Sequence, residues 1–172
     1  LVVAVTCSLF RNIAAHTTKP EIIVTGLNEA LCTNNETNMF VTVFAGVLDL
    51  KTGHLSYSNA GHDMPLLLDA NGVTILSCDP NVPIGVCDDW TFTCQQRDLK
   101  EGATLFLYTD GLNEAENSIH QQFGDDRLKL EIRQHQDEDA HSMTDDVERA
   151  VENFVGDAEQ SDDLAMLCIK MH

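Results

Sequence analysis

The stretch "TLFLYTDGLNEAEN", residues 104–117, decides how the rest of the chain is read. Thr104 to Tyr108 is a short apolar and aromatic run, the composition of a buried strand. It stops at Thr109-Asp110-Gly111. Asp-Gly is a common turn pair, so the plain reading is a hairpin. The sharper reading is a carboxylate held at the end of a core strand to grip a cation. A carboxylate beside a core is costly unless it is hydrogen-bonded, paired or metal-bound. Gly111 would let the backbone come close to such an ion.

A second acidic stretch, Asp162-Asp163, directly precedes the apolar run "LAMLCIKM". By itself that pair reads as a solvated strand entry or a helix-dipole contact. Hard cations such as Mg²⁺ and Mn²⁺ take oxygen ligands and keep several waters, so a few carboxylates suffice.

Between and around these two points the periodicity changes twice. Residues 1–16 read as a buried helix. It has no cap before an already apolar pattern, so Leu1 reads as a point inside a longer helix. A second helix is expected over 19–32. Thr18-x-x-Glu21 is its capping box, Pro20 lies in its first turn, and Ile22, Ile23, Leu27, Ala30 and Leu31 line its apolar face. "NNETN" at 34–38 is a loop. From residue 39 the pattern is of strands at hairpin spacing: 39–50, 54–61, 64–69, 73–77, 90–99 with Trp90, Phe92 and Cys94 on one face, and 103–108. Helices return over 125–136 and from a Ser142-x-x-Asp145 cap to a stop at Gly156. A last strand spans 164–171. Helices at both ends of an antiparallel block give an α+β fold in a single domain, 1–172.

Composition narrows the function classes. With 10 basic and 28 acidic residues the formal charge is −18, a field that repels nucleic acid and anionic membrane and favours cations. No apolar run approaches the ~18 residues needed to cross a bilayer. Six cysteines at 7, 32, 78, 87, 94 and 168 contain no C-x-x-C pair or zinc spacing. They read as reduced, mostly buried thiols of a cytoplasmic protein. The sequence has no G-x-S-x-G elbow and no P-loop. "DANG" at 69–72 begins like a calcium loop but lacks the downstream ligands, so it reads as a hairpin. "DDRLKLEIRQHQDED" reads as a solvated helix face with i,i+4 pairs.

Five motifs in order carry a resemblance: "NAGH" at 59–62, "PNVPIGV" at 80–86, "LYTDGLNEAEN" at 107–117, "FGDDRL" at 123–128 and "SDDLAMLCIKM" at 161–171. Together they resemble the metal-dependent PPM-type (type-2C-like) serine/threonine phosphatases, in the bacterial SpoIIE/RsbU-like subgroup, nearly end to end. The resemblance implies an antiparallel two-sheet β-sandwich flanked by helices, in α-β-β-α layers. It also implies two Mn²⁺ or Mg²⁺ ions that activate water for direct attack on phosphoserine or phosphothreonine. Two metals held ~3.5–4 Å apart both lower the pKa of bridging water and neutralise the phosphoryl group.

Carried over by motif, Asp110 and Asp162 are metal ligands, and no side chain acts as nucleophile. Asp163 supports the ligands and Gly111 is structural. Glu114 is a solvent-facing or substrate-side residue at the site's edge. His62 is a second edge residue, although as a residue it reads first as a buried, hydrogen-bonded turn histidine. Asn59 satisfies turn backbone groups. The family's remaining ligands lie on an early acidic strand and a G-D-x-x-G-x-G motif just before the first long helix. The resemblance therefore has this chain begin after that motif, as the C-terminal majority of the domain, with weak metal binding and little turnover by itself. Ala165 stands where relatives carry Thr, which is expected to loosen support for Asp162, and Asp63 where they carry Asn.

The implied partner is a phosphorylated regulatory protein, a STAS-type anti-sigma factor antagonist, with an upstream sensor or receiver domain and a possible homodimer. The first two helices are the natural place for regulation. Two other readings remain open: a catalytically inactive phosphatase-like regulatory or binding module, and an acidic β-protein that binds calcium or a monovalent ion.

Overall fold

The computed structural model describes residues 2–33, 35, 38–158 and 162–172. Leu1 and most of the 34–38 loop lie outside the described residues. The chain forms two compact units, Leu1–His62 with Ser77–Leu99, and Asp63–Leu76 with Lys100–His172. Each carries one antiparallel sheet and its own helices, so the α+β, two-sheet antiparallel class expected from sequence is what the structure has.

In the first unit, α1 (Val2–Ala14) and α2 (Pro20–Cys32) precede β1 (Val43–Leu48), β2 (His54–Ala60) and β5 (Gln95–Asp98), paired in the order β1-β2-β5. The core is Ile23, Val24, Leu27, Ala45, Ala60, Ile84 and Phe92. Helix α1 corrects the expectation of a buried helix. Thr6 is its sole buried residue, and Val3 and Val5 face outward. Its apolar run exceeds what its neighbours can cover, because Leu9, Phe10, Ile13 and Ala14 alone pack on the cluster beside α2.

The start of α2 corrects the capping box. Lys19 is the cap residue and makes no side-chain bond, while the N–H of Lys19 donates to Thr17 Oγ1 at 3.2 Å. The buried stripe runs through Ile23, Val24, Leu27 and Asn28, leaving Ile22 and Ala30 exposed. Asn28 earns its burial with two bonds: Oδ1 accepts from the N–H of Gly85 at 2.9 Å, and Nδ2 donates to the Cys87 carbonyl at 2.8 Å. A buried amide satisfied on both ends costs little, so the loop 84–87 is fixed to the helix. Residues 90–94 do not form the expected strand. Phe92 turns inward while Trp90 and Cys94 are exposed, and pairing with β2 begins only at Gln95.

The second unit is built on β4-β3-β6-β7, with β3 (Leu66–Asp69), β4 (Gly72–Ile75), β6 (Thr104–Tyr108) and β7 (Met166–Lys170). "DANG" is the β3–β4 hairpin, with the N–H of Asn71 donating to Asp69 Oδ1 at 2.7 Å and Gly72 at φ 105°. Helices α3 (Asp110–Asn113), α4 (Gly124–Gln134) and α5 (Ala140–Val155) complete the unit. Phe106, Leu112, Phe123, Leu128, Ile132, Met143 and Val147 form its core. Leu128 and Ile132 are four apart and both buried, which is the helical period. The α5 cap lies upstream of the expected Ser142: Asp139 Oδ1 accepts from the N–H of Ser142 at 2.8 Å. Gly156, at φ 60°, ends the helix as expected.

The cysteines are free but not buried as expected. Cys7 and Cys94 are exposed and the other four are half-buried. Burial pushes the Cys168 thiol up to about 11, with Lys170 opposing part of the effect. At pH 8 on the order of 10⁻³ of it is thiolate, the reactive form. Alkylation with iodoacetamide at that pH, followed by peptide mass spectrometry, is expected to label the exposed Cys7 well before Cys168. Equal rates would contradict the packing of β7. Among the described residues, no helix is long and apolar enough to cross a membrane.

Candidate metal centre at the β6–β7 end

The two acidic stretches meet because the strands that carry them pair. β6 and β7 run antiparallel from Thr104↔Lys170 to Tyr108↔Met166. One step further, the N–H of Thr109 donates to the Ala165 carbonyl at 3.0 Å, and the Thr109 hydroxyl accepts from the N–H of Ala165 at 3.2 Å. Thr109 thus holds the backbone of residue 165 with both its own main chain and its hydroxyl.

Asp110-Gly111 is not a hairpin. The chain leaves β6 directly into the short helix α3, with Thr109 as the cap residue and Asp110 in the first turn. A negative charge there is favourably placed against the helix dipole. Gly111 does not occupy the positive-φ region that a type I′ turn would demand. Its role is space. A Cβ built there would lie 2.4 Å from the carbonyl oxygen of Asp163 and 3.4 Å from Cβ of Asp162. This glycine approaches the backbone of the second acidic stretch.

Each ligand candidate has one oxygen fixed locally. Asp110 Oδ1 accepts from the N–H of Gly111 at 2.9 Å, and Asp162 Oδ1 accepts from the N–H of Asp163 at 2.7 Å. All three aspartates are exposed. Glu114, also exposed, ends α3, its N–H donating to the Asp110 carbonyl at 2.9 Å. Tyr108, the last residue of β6, is buried in the core. Burial, then the negative charges of Asp125 and Asp63, push its hydroxyl above its ordinary range, so at neutral pH it stays protonated.

The donor chemistry suits a hard divalent cation, since Mg²⁺ is commonly held by one or two carboxylates plus water. Among the described residues, no third His, Cys, Asp or Glu joins Asp110 and Asp162 tightly enough to close around an ion. The pair is therefore a partial donor set that fits such a metal.

His62 belongs to the other unit and is half-buried. Its N–H donates to Asn59 Oδ1 and its carbonyl accepts from Asn59 Nδ2, both at 2.8 Å, so the turn is held by Asn59 and by the backbone of His62. His62 also lines a mostly apolar cleft with Val3, Phe10, Leu27 and Phe44. A cluster that sequence reasoning passed over is His135 with Glu138 and Asp146. Its first two members lay inside a run read as a solvated face, and the third comes from the next helix, so spacing gave no signal.

Comparison with known proteins agrees with this architecture. The curated protein IcfG of Synechocystis sp. (strain ATCC 27184 / PCC 6803 / Kazusa) is 33% identical over 117 residues, 64% of this chain and 18% of that protein. The chain thus spans less than a fifth of that relative's length. Among solved structures, the SiaA-PP2C domain of Pseudomonas aeruginosa superposes with a TM-score of 0.79 at 21% identity, over 98% of this chain and 70% of that one. The Mn-presoaked phosphatase domain of the cell fate determinant SpoIIE from Bacillus subtilis does so at 0.66 and 16%, over 96% and 73%. The pattern of the family "Stage II sporulation protein E (SpoIIE)" matches residues 1–172, the whole of the sequence. With the fold and that full-length match in agreement, the chain belongs to the SpoIIE family and has the fold of PP2C phosphatase domains.

Proposed function

We propose that the chain is a metal-dependent phosphoprotein phosphatase domain that hydrolyses phosphoserine or phosphothreonine on a regulatory protein. One observation carries this reading. Gly111 lies against the Asp163 carbonyl, so that two carboxylate-bearing segments 52 positions apart share one end of one sheet.

Asp110 and Asp162 hold Mn²⁺ or Mg²⁺, two ions in the complete site. The bound ions supply a lowered water pKa and charge neutralisation at phosphorus. The rest falls to the chain's own residues. The N–H groups of Gly111 and Asp163 fix one oxygen of each carboxylate, leaving the other oriented. Asp163 supports the pair through its backbone. Glu114 is a residue at the site's edge. Residues 1–172 act as one phosphatase domain in the cytoplasm, with a STAS-type anti-sigma factor antagonist as substrate, a sensor or receiver domain upstream, and a homodimer as a possible assembly.

The test is release of inorganic phosphate from a phosphoserine protein by the full-length protein. Release is expected with Mn²⁺ and is expected to stop on chelation with EDTA. Turnover that persists through chelation would refute the reading, and no turnover with any divalent cation would favour an inactive binding module.

A further inference from the structure

We propose that His135, Glu138 and Asp146 form a second cation site, for Zn²⁺, that ties the end of α4 to the second turn of α5. This site is separate from Asp110 and Asp162 and does not depend on the phosphatase reading.

The geometry is that of ligands already gathered. His135 Nδ1 lies 3.0 Å from Glu138 Oε1 and 3.3 Å from Asp146 Oδ2. One ligand atom from each residue falls within 4.8 Å of the others. At the Zn–N and Zn–O lengths of ~2.0–2.1 Å, two ligands at a tetrahedral angle sit ~3.3 Å apart. The two nitrogen–oxygen separations therefore need little adjustment. One imidazole with two carboxylates is also a mixed nitrogen and oxygen set that suits Zn²⁺ better than Mg²⁺.

Neighbouring residues orient the three ligands. The other ring nitrogen of His135, Nε2, faces Glu131 Oε2 at 3.7 Å, one turn back on α4. With Nδ1 on the metal, Glu131 is placed to hold the proton on Nε2, an arrangement common among histidine ligands. Arg149 grips Asp146 Oδ1 and leaves Oδ2 toward His135. Lys170 Nζ donates to the carbonyls of Gln136 and Glu138, which fixes the connection between the helices from the β7 side.

A second observation points to an ion rather than to an ionic network alone. Glu138 Oε2 is shielded from solvent and accepts no hydrogen bond, although Glu138 as a residue is only half-buried. A proton on His135 Nδ1 serves Oε1 and leaves Oε2 without a partner, which costs free energy. A cation held by both oxygens of Glu138 and by Asp146 Oδ2 would satisfy both groups. When the ring is protonated, its Nδ1 proton leaves to solvent as the metal takes the lone pair.

The test is calorimetric titration of ZnCl₂ into the Asp110→Asn/Asp162→Asn double variant, which silences the other carboxylate pair. One equivalent is expected to bind and to raise the thermal midpoint, because a ligand of the folded state alone stabilises it. Adding His135→Gln or Asp146→Asn is expected to weaken binding at least about 10-fold. Glu138→Gln serves as the third probe should either variant lose its circular dichroism signature. Absence of Zn²⁺ binding in the parent overturns the site. So does binding that none of the three substitutions weakens, which would place the ion on other ligands such as the exposed cysteines.

Discussion

The full-length protein carrying Asp110→Asn is expected to release phosphate at least about 100-fold more slowly under Mn²⁺, beyond the 10–100-fold typical of losing a group that merely supports a ligand. Asparagine keeps the shape of the side chain and an oxygen that can still accept from the N–H of Gly111. It removes the negative charge, the property the metal requires. Asp162→Asn has the same logic, because its oxygen still meets the N–H of Asp163. Both positions are exposed, so stability should hold within about 0.5 kcal/mol. The double variant should be little worse than either single one, since ligands of one centre act as a unit. The measurement is a Mn²⁺ titration of initial rates alongside a thermal melt. Rates within a few-fold of wild type would remove these residues from the metal site. A fall in stability matching the fall in rate would recast them as structural.

Gly111→Ala is expected to disturb both stability and the site. The new methyl would stand 2.4 Å from a backbone oxygen and 3.1 Å from its carbon, and neither is the yielding tip of a side chain. Either α3 moves outward or the Asp162-Asp163 segment does. Forcing a methyl into filled space costs about 1–3 kcal/mol, which for a chain of this size lowers the melting point by roughly 2–4 °C per kcal/mol. Whichever side moves, Asp110 and Asp162 separate, so Mn²⁺-dependent activity should fall more than the loss of stability explains. Gly102→Ala is the contrast. That glycine is at φ 80° with nothing within 4 Å of the new Cβ, so it suffers backbone strain without displacing a neighbour. An unchanged melting point and unchanged Mn²⁺ dependence in Gly111→Ala would mean that the close approach carries no consequence.

The strands and most helices were legible because their signals are local. Leu128 and Ile132, or the turn at Asn71-Gly72, need only neighbours in sequence to be understood. Boundaries were less legible. Thr18-x-x-Glu21 has the form of a capping box, yet Lys19 caps α2, since the pattern records which residues could bond and not where the chain turns. Residues 90–94 alternate like a strand, but β2 offers them no partner until Gln95. The exposure of α1 was hidden for a related reason: apolar content shows what a helix could bury, not what is present to cover it. At the candidate site, Asp110 and Asp162 could be nominated from their positions beside apolar runs. That Gly111 touches Asp163 could not, because the contact depends on β6 and β7 being neighbours in register. The His135 cluster draws on two helices and their connection and lacked any local mark.

The buried Asn28 makes helix α2 and the loop 84–87 a single mechanical part. Its amide is bonded at both ends to backbone on the far side of the sequence, at Gly85 and Cys87. A rotation of α2 by one residue, about 100°, would swing the amide away and break both bonds together. Smaller displacements would carry the loop along. A push on α2 therefore arrives at the P-I-G-V segment as movement rather than being lost in side-chain rearrangement.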